Sequence, residues 1–395
     1  MQRIRVEPRP NLAERARETG FELVTIDGQI YWDERAYYGF SLSQIEDDIE
    51  APTRELAAMC VELAGRVVAD QRMLERLAIP PHAWELIADS WRRRDPTLYG
   101  RFDLAYDGTA PAKLLEYNAD TPTALFEAAV FQWVWLEDAL AGNLIPAGCD
   151  QFNSLHEKLI ATLRQCGVGG SSTPVMHLAC LPDSIEDRGL VAYLADCASQ
   201  AGLMPKQLAM ADIGSTGSGP FVDLENQPIE LLFKLYPWEW MLADPFSRSP
   251  SMRATRFIEP PWKAIVSNKG ILPLLWEMAP RHPNLLPAYF DDDAVEGGVG
   301  RARLGGSYAR KPLYSREGSN VTLVVDGAVV DSDDGAYGRE GYIVQALADV
   351  PRLDGQYPVI GSWVVGDAAC GIGVREDASP ITKNTSRFVP HAILP

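Results

Sequence analysis

The sequence lacks the long apolar runs and the positive charge on which membrane and nucleic acid proteins depend. No stretch of its 395 residues reaches the roughly 18 uninterrupted apolar residues of a membrane-spanning helix, and its first 20 residues have no apolar signal core. Lys and Arg total 36 against 54 Asp and Glu, and the net charge of −18 would repel phosphate backbones and anionic lipid. The composition therefore predicts a soluble, cytoplasmic protein that binds neither nucleic acid nor membranes.

Cysteine is scarce and scattered. The absence of a C-x-x-C pair or a dense cluster argues against a zinc knuckle and a disulfide framework, and fits a reducing cytoplasm. His177 and Cys180 could be imagined as metal ligands, but the surrounding VMHLACLPD predicts a buried strand in which both belong to the core. The cysteines are Cys60, Cys149, Cys166, Cys180, Cys197 and Cys370.

The two common glycine motifs of nucleotide sites are also missing. Neither G-x-x-x-x-G-K-[ST] nor a G-x-G-x-x-G between a strand and a helix occurs. GVGG at 167–170 is not followed by a lysine-bearing helix start, so it is predicted to be a plain loop. Any ATP site must therefore use lysines, a mobile loop and a metal held by carboxylates.

The length exceeds the usual span of one hydrophobic core and predicts two or three closely packed subdomains. Residues 51–90 carry apolar side chains at helical spacing. Two strands, in RFDLAYDG and AKLLEYNAD, precede a helix in LFEAAVFQWVWLEDAL. A helix at 150–165 is followed by strand, helix and strand in TPVMHLACL, VAYLADCASQAG and KQLAMADI. The first two thirds are therefore expected to be α/β.

The final third favours short strands and turns, which would suit an antiparallel sheet that grips a nucleotide. Within it, the acidic, glycine-rich DDDAVEGGVG at 291–300 is expected to be a mobile loop. The strands are predicted in SYARKPL, NVTLVVDG, AVVDS, GYIVQALAD, YPVIGSWVVG and CGIGVRED.

Two short polar patterns provide the clearest chemical signal. In R-F-D (Arg101, Asp103) and E-Y-N (Glu116, Asn118) the polar residues are two apart, so each pair lies on one face of its strand. Mg²⁺ prefers oxygen ligands shared with substrate phosphates, and Arg matches phosphoryl oxygens. The set suits phosphoryl transfer, although an exposed hairpin carrying a salt bridge explains the spacing equally well.

The sequence segments around these residues resemble those of a known family. EYNADTPT at 116–123, followed by FEAA, is similar to the EYNAD segment of glutathionylspermidine synthase and its shorter synthetase-like relatives. Similar segments follow in the same order and extend the resemblance over most of the chain. They are EPPWKAIVSNKGILPLLWEM at 259–278, ARKPLYSREGSNV at 309–321 and WVVGDAACGIGVREDASPITKN at 363–384.

The resemblance implies a mixed α/β fold of the rearranged ATP-grasp kind, similar to glutathione synthetase, with the nucleotide clamped between two lobes. It implies an N-terminal α/β region at 1–150 that carries the metal motif and an ATP-grasp region at 151–395. The order of the motifs supports the rearrangement, because Glu116 and Asn118 precede both candidate lysines. The implied function is ATP-dependent and Mg²⁺-dependent joining of a carboxylate to an amine.

The resemblance also implies residue roles. Asp103, Glu116 and Asn118 would hold Mg²⁺, and Arg101 would stabilise the charge that moves in the transition state. Arg375 would hold the carboxylate or its acyl phosphate, and Thr121 and Thr123 occupy the substrate segment. The implied ATP contacts are Arg101, Phe102, Asp103, Lys269, Lys311, Arg316, Gly318, Gln345, Ala346, Leu347, Pro380, Ile381 and Thr382.

Two local interpretations accompany these roles. Asn268 could cap a helix that begins at Lys269, which would bring a helix N-terminus and an ammonium group to one anion. Backbone groups of 344–347 could read the purine edge. Lys311 taken alone is more typical of a strand lysine that faces water.

The chain departs from the family in three places. It starts directly in synthetase-like sequence, so no cysteine amidase domain is expected. Ser315 and Glu317 stand where well-known synthetases have Gly and Cys. Residues 121–125 (TPTAL) replace a polar run that helps to hold glutathione, so the resemblance names neither the acid nor the amine.

A second hypothesis is a non-catalytic module that binds a nucleotide or peptide without turnover, although the retained phosphate and metal residues favour the ligase. In YPWEW, Trp238, Glu239 and Trp240 could form an amine pocket, but such aromatic residues more often pack in a core. The oligomeric state is not indicated.

Overall fold

The computed structural model describes residues 1–166, 174–291 and 299–395. Two predicted loops, GVGG at 167–170 and residues 292–298 of the acidic segment, lie outside the described residues. The elements alternate between helices and strands over the first two thirds of the chain, and strands dominate after residue 300, as the sequence predicts.

The strands of the described residues belong mainly to three larger sheets and one small sheet at the chain ends. They are β1 (Gln2–Arg5), β2 (Thr25–Ile26), β3 (Gln29–Ile30), β4 (Ala36–Phe40), β5 (Tyr99–Ala105), β6 (Lys113–Asn118), β7 (Val175–Cys180), β8 (Met204–Ala209), β9 (Leu231–Leu235), β10 (Arg256–Ile258), β11 (Ala288–Phe290), β12 (Tyr308–Pro312), β13 (Thr322–Val325), β14 (Ala328–Ser332), β15 (Tyr342–Ala346), β16 (Tyr357–Val365), β17 (Ala368–Asp377), β18 (Arg387–Val389) and β19 (His391–Ile393).

The helices are mostly short. In the part of the chain that the structure describes, no helix is long and apolar enough to cross a membrane. The α-helices are α1 (Leu12–Thr19), α2 (Leu42–Ile45), α3 (Ala51–Val68), α4 (Gln71–Arg76), α5 (Trp84–Arg93), α6 (Gln132–Ala141), α7 (Leu155–Cys166), α8 (Ile185–Gln200), α9 (Trp238–Ala243), α10 (Ser251–Ala254), α11 (Lys263–Val266), α12 (Ile271–Met278) and α13 (Val299–Arg303).

An antiparallel sheet with the order β18-β17-β16-β5-β6 stands at the centre, and we call it the site sheet. It pairs β5 and β6 from the first third of the chain with three strands from its end, so distant segments share one surface. A second antiparallel sheet has the order β11-β15-β12-β13-β14. The third, β10-β9-β7-β8, is parallel and carries the middle α/β segment.

Several element boundaries differ from the predicted ones. The region 51–90 is helical, as predicted, and is divided into α3, α4 and α5 by turns and a 3₁₀ segment (Pro81–Ala83). The helix expected from Leu125 begins with π-helical residues (Glu127–Phe131) and continues as α6. Helix α8 starts at Ile185, where the side chain of Ser184 accepts a hydrogen bond from the Asp187 N–H, a start that the sequence pattern did not indicate.

The cysteines lie in the interior of the protein. All six are free and buried. His177 and Cys180 lie in β7 and are both buried, so the core interpretation of that strand is confirmed. Among the described residues, no group of three His, Cys, Asp or Glu side chains is arranged to hold a metal ion.

Candidate active site

The hairpin of β5 and β6 places the two polar patterns opposite each other. Arg101 pairs with Asn118 and Asp103 pairs with Glu116 across the antiparallel ladder. Because residues two apart share a strand face, all four side chains lie on the same face of the site sheet. The spacing argument is therefore confirmed for their arrangement.

These four side chains contact one another directly. Arg101 donates to both carboxylate oxygens of Asp103, from Nε at 2.7 Å and from Nη2 at 3.1 Å. Asn118 Nδ2 donates to Asp103 Oδ2 at 3.0 Å and to Glu116 Oε1 at 3.1 Å. The site therefore contains the salt bridge of the plainer interpretation, but on a partly buried face that lines a cavity.

A glycine on the neighbouring strand leaves space for the Arg101 side chain. Gly361 of β16 lies opposite Asp103, and a Cβ at Gly361 would lie 2.6 Å from Arg101 Cδ. Arg101 also donates from Nη1 to the backbone O of Thr123 at 2.7 Å, which fixes the other side of the group. The Phe102 side chain, in contrast, is fully buried and stacks on Tyr117, so it is not available to a nucleotide.

Both candidate lysines reach the hairpin. Lys269 Nζ lies 2.9 Å from Glu116 Oε2 and donates to the backbone O of Ser315 at 2.9 Å. Lys311 of β12 donates to the backbone O of Leu115 at 2.9 Å and to Gln345 Oε1 at 2.8 Å. The water-facing interpretation of Lys311 is wrong, because the residue is buried.

Burial and neighbouring charges shift the pKa values of this cluster in different directions. Burial favours the protonated form of Glu116, but the ammonium groups of Lys269 and Lys311 outweigh it and lower its pKa to about 2. Burial raises the pKa of Asp103, against the opposing effect of Arg101. Burial also lowers the pKa of Lys311 to about 8, although Glu116 acts in the other direction. Glu116 is therefore ionised at neutral pH.

The segment predicted to close over phosphates also lies at this face. Arg316 Nη2 donates to the backbone O of Thr121 at 3.1 Å, which links the segment to the end of the hairpin. Gly318 has φ +78°, and a Cβ there would lie 2.8 Å from the backbone O of Thr382. Glycine is required at this turn because the 380–382 segment approaches so closely.

An apolar cavity of about 280 Å³ adjoins the cluster, with Glu116 and Lys311 at its polar end. The predicted ATP residues Pro380, Ile381 and Thr382 line it, together with Gln345, Ala346 and Leu347. Its apolar wall is formed mainly by Ala309, Val321, Leu323, Val325, Val330, Val350 and Val359.

Strand β15 requires a correction to the purine-reading interpretation. The Ala346 N–H donates to the backbone O of Pro287 at 2.8 Å, so it is not available to a purine in this conformation. Gln345 directs its amide to Lys311 and to the backbone O of Leu114, at 2.8 and 2.9 Å. The strand thus positions Lys311, which the sequence pattern did not indicate.

A polar cavity lies on the other side of the carboxylates. Thr121 Oγ1 and Ser315 Oγ are buried there without a hydrogen-bond partner among the described residues. Buried polar atoms are normally paired, so unpaired ones mark positions where a ligand or water is expected. The cavity is lined by Arg101, Asp103, Glu116, Asn118, Asp120, Thr121, Thr123, Glu239, Ser315, Arg316, Glu317, Gly318 and Arg375, among others.

Arg375 reaches the polar cavity from β17, but its guanidinium is already engaged. It donates to the backbone O atoms of Lys383, Asn384 and Ser386 at 2.8, 3.0 and 2.9 Å. The turn after Thr382 is therefore held in place by Arg375. This organising contact was not predicted from the sequence.

The start of α12 and the YPWEW segment were both subjects of local predictions. Helix α12 begins at Ile271, and the Asn268 side chain accepts from the Gly270 N–H at 2.7 Å, so the prediction of a helix starting at Lys269 is wrong by two residues. Trp238 is fully buried and its Nε1 donates to the backbone O of Glu259, which confirms the packing role preferred for it. Glu239 instead lines the polar cavity.

The sequence analysis missed the pair formed by Asp120 and Lys234. Lys234 Nζ lies 2.7 Å from Asp120 Oδ1 inside the protein, and Asp120 Oδ2 accepts from the Trp238 N–H at 2.7 Å. Asp120 lies two residues after the E-Y-N pattern, and an acidic residue so close to it could have been singled out. Lys234 is one lysine in an apolar strand and gave none.

The donor set fits a magnesium ion that also contacts phosphates. Asp103 and Glu116 turn their carboxylates toward the Asn118 amide, whose N–H groups contact both. The two carboxylates supply oxygen ligands, and the Asn118 amide would supply a third after turning its oxygen toward the ion. Phosphate oxygens and water would complete the coordination, which is the usual manner of Mg²⁺ binding. The adjoining lysines would contact the same phosphates.

Comparison with known proteins places the whole chain in one group. The family model described as "Glutathionylspermidine synthase preATP-grasp" matches residues 3–394. A Haemophilus influenzae protein named "Putative acid--amine ligase" is 43% identical over 98% of both chains. Trypanothione synthetase of Crithidia fasciculata is 30% identical, over 83% of this chain and 52% of its own length.

Two further relatives define the fold and the extent of the match. The bifunctional glutathionylspermidine synthetase/amidase of Escherichia coli is 28% identical over 93% of this chain and 61% of its own length. The chain therefore spans only about half to three fifths of these two longer relatives. The structure of a glutathione synthetase-like effector from Globodera pallida covers 98% of both chains with a TM-score of 0.60 and 11% identity. This likeness confirms the predicted glutathione-synthetase-like, ATP-grasp type of fold.

Proposed function

This chain belongs to the glutathionylspermidine synthase family and is a ligase that forms carbon–nitrogen bonds, and we propose that it joins a carboxylate to an amine by way of an acyl phosphate made from ATP. One observation carries this proposal. Two carboxylates and an amide meet two lysines and an arginine at the boundary between an apolar and a polar cavity. Such a boundary suits a nucleotide on one side and the reacting groups on the other.

The nucleotide would lie along the second antiparallel sheet. Its base would occupy the apolar cavity against Leu347 and Ile381, and its phosphates would extend toward Lys269 and Lys311. Arg316 adds a guanidinium that can match phosphoryl oxygens, and the turn at Gly318 lies beside it. These residues supply positioning and charge, which are the main requirements of phosphoryl transfer.

Asp103, Glu116 and Asn118 would hold Mg²⁺. The ion would neutralise negative charge on the phosphates when bound. Asp103 and Glu116 are held in place by Arg101, which contacts both oxygens of Asp103, and by Lys269, which contacts Oε2 of Glu116. The protein therefore provides preformed ligands.

The reaction would occur in the polar cavity. A carboxylate oxygen of the acid attacks the γ-phosphorus of ATP, the bond to the bridging oxygen breaks, and ADP leaves. The amine then attacks the acyl carbon, and phosphate leaves with the electron pair of the C–O bond. Arg101 is placed to stabilise the moving phosphoryl charge, and Thr121, Thr123 and Arg375 line the part of the cavity proposed for the acid.

The substrates are proposed only by class. Two of the relatives are named for the synthesis of trypanothione and of glutathionylspermidine, so a peptide carboxylate and a polyamine are the first substrates to test here. Incubation with Mg-ATP and a metabolite extract, followed by mass spectrometry, would reveal an ATP-dependent amide. Nucleotide binding without ADP release across the extract would favour the non-catalytic module.

The depressed pKa of Lys311 gives a pH prediction. ATP affinity is expected to fall as pH rises through about 8, because the free protein then loses the Lys311 proton that the phosphates require. Binding near pH 8 should therefore take up protons. Calorimetry in buffers of different ionisation enthalpy measures this uptake.

Lys311→Met is the control for the pH prediction. This variant should bind ATP more weakly at pH 7 and should show no further loss through pH 8. An unchanged pH profile in Lys311→Met would assign the titration to another group.

A further inference from the structure

Glu239 is a carboxylate of the polar cavity that the proposed mechanism does not yet use. It lies in the first turn of α9 and is partly buried. No side chain of the described residues forms a hydrogen bond or ion pair with it. It lines the polar cavity together with Thr121 and Arg316.

The other carboxylates of this cavity are less available. Asp103 and Glu116 are engaged with Arg101 and Lys269. Asp120 is paired with Lys234 and also accepts the Trp238 N–H. Glu317, the remaining one, is more exposed to solvent than Glu239, although burial raises its pKa too. Glu239 is therefore the partly buried acid that is free to exchange a proton with a ligand.

The position of Glu239 is fixed from the metal-binding strand. Asp120 lies two residues after the end of β6 and accepts from the Trp238 N–H at 2.7 Å, one residue before Glu239. The buried contact between Asp120 and Lys234 holds that carboxylate in turn. The start of α9 is thus tied to the strand that carries Glu116 and Asn118.

An amine substrate presents a chemical requirement that Arg101, the lysines and the carboxylates described above do not meet. At neutral pH an aliphatic amine is an ammonium ion, which has no lone pair for attack. A base of partly buried character beside the reaction site would meet this requirement. The cationic neighbours of the phosphates cannot accept the proton.

Building on the proposed function, we propose that Glu239 is the catalytic base that takes the proton from the attacking ammonium group. One N–H proton passes to the carboxylate, and the freed lone pair forms the C–N bond to the acyl carbon. The C–O bond to phosphorus-bound oxygen breaks and its electron pair leaves with phosphate. The second proton on nitrogen is lost to the departing phosphate, which completes the amide.

The surroundings of Glu239 are compatible with this role. Burial raises its pKa, while Arg316 opposes that change, so the carboxylate is a stronger base than an exposed one. The charged and titratable groups that face it come from the residues after β6, from β9 and from the segments around Arg316. They are Asp120, Lys234, Tyr314, Arg316 and Tyr337.

The test compares two nucleophiles in wild type and Glu239→Gln. Spermidine carries ammonium groups, whereas hydroxylamine is uncharged at neutral pH and needs no base before attack. With glutathione, or the acid found in the extract, Glu239→Gln should slow amide formation with spermidine about 10²-fold or more. Hydroxamate formation should fall far less. Raising the pH should restore amide formation in the variant.

Glu317→Gln is the matched control, because it removes the same charge from the same cavity. It should change the rates with the two nucleophiles by similar factors. An equal loss with both nucleophiles in Glu239→Gln, without recovery at high pH, would overturn the assignment. Failure of wild type to release ADP with any acid would instead contradict the proposed function and this inference with it.

Discussion

Replacing Arg101 with alanine is expected to reduce ADP release and hydroxamate formation by about 10²-fold or more, since loss of one such donor to transition-state charge typically costs that much. ATP affinity should fall less than turnover, because Arg101 acts mainly on charge that develops during transfer. Parallel calorimetry and turnover measurements separate the two effects. In the structure Arg101 is held by Asp103 and Thr123, so the group is already in position.

Arg93→Ala is the matched control for Arg101→Ala. Arg93 forms the same two-point contact with a carboxylate two residues away, Asp95, with distances of 3.1 and 2.6 Å. It lies at the end of α5, outside the cavity lining. Full activity in Arg93→Ala, together with native circular dichroism in both variants, would assign the loss to the site. An Arg101→Ala protein that keeps wild-type turnover would remove Arg101 from the mechanism.

Glu116→Gln is expected to weaken the Mg²⁺-dependent part of ATP binding by about 10²-fold, because even outer-shell partners of metal ligands are worth 10- to 100-fold. Asp103→Asn should act in the same direction. The ionised state of Glu116, maintained by Lys269 and Lys311, makes it the stronger ligand of the two. ATP titrations with and without Mg²⁺ give the comparison.

The control for these variants is Asp95→Asn, which neutralises a buried carboxylate away from the site. It should bind Mg-ATP as wild type does. If Glu116→Gln and Asp103→Asn both keep the wild-type response to Mg²⁺, the metal assignment fails. If they lose folding cooperativity but not the response, their role is structural.

The sequence was sufficient to predict the arrangement of the hairpin. Two-residue spacing fixed the faces of Arg101 and Asp103 and of Glu116 and Asn118, and strand pairing then brought them together. It also indicated segments that line the apolar cavity, because these include ARKP and SPIT, which lie in the stretches that resemble the family. Local patterns were enough for features that depend on one strand or turn.

Contacts between residues far apart in the chain could not be predicted from such local patterns. Nothing near Lys311 indicates that Gln345 would orient it, and nothing near Lys234 indicates its pairing with Asp120 across 114 residues of sequence. Buried polar pairs of this kind depend on tertiary packing rather than on spacing. The prediction of the exact start of α12 was wrong for a related reason. The side chain of Asn268 forms hydrogen bonds with the backbone of Gly270 and Leu77 instead of capping a helix.

The most direct test of the central claim is a trapping measurement on the wild-type protein. The protein is incubated with Mg-ATP, hydroxylamine and the acid found in the extract screen, and nucleotide and hydroxamate are measured together. Transfer through an acyl phosphate predicts ADP and hydroxamate in equal amounts, with both lost in Arg101→Ala. Formation of AMP and pyrophosphate in place of ADP would contradict the acyl phosphate and indicate an adenylating ligase.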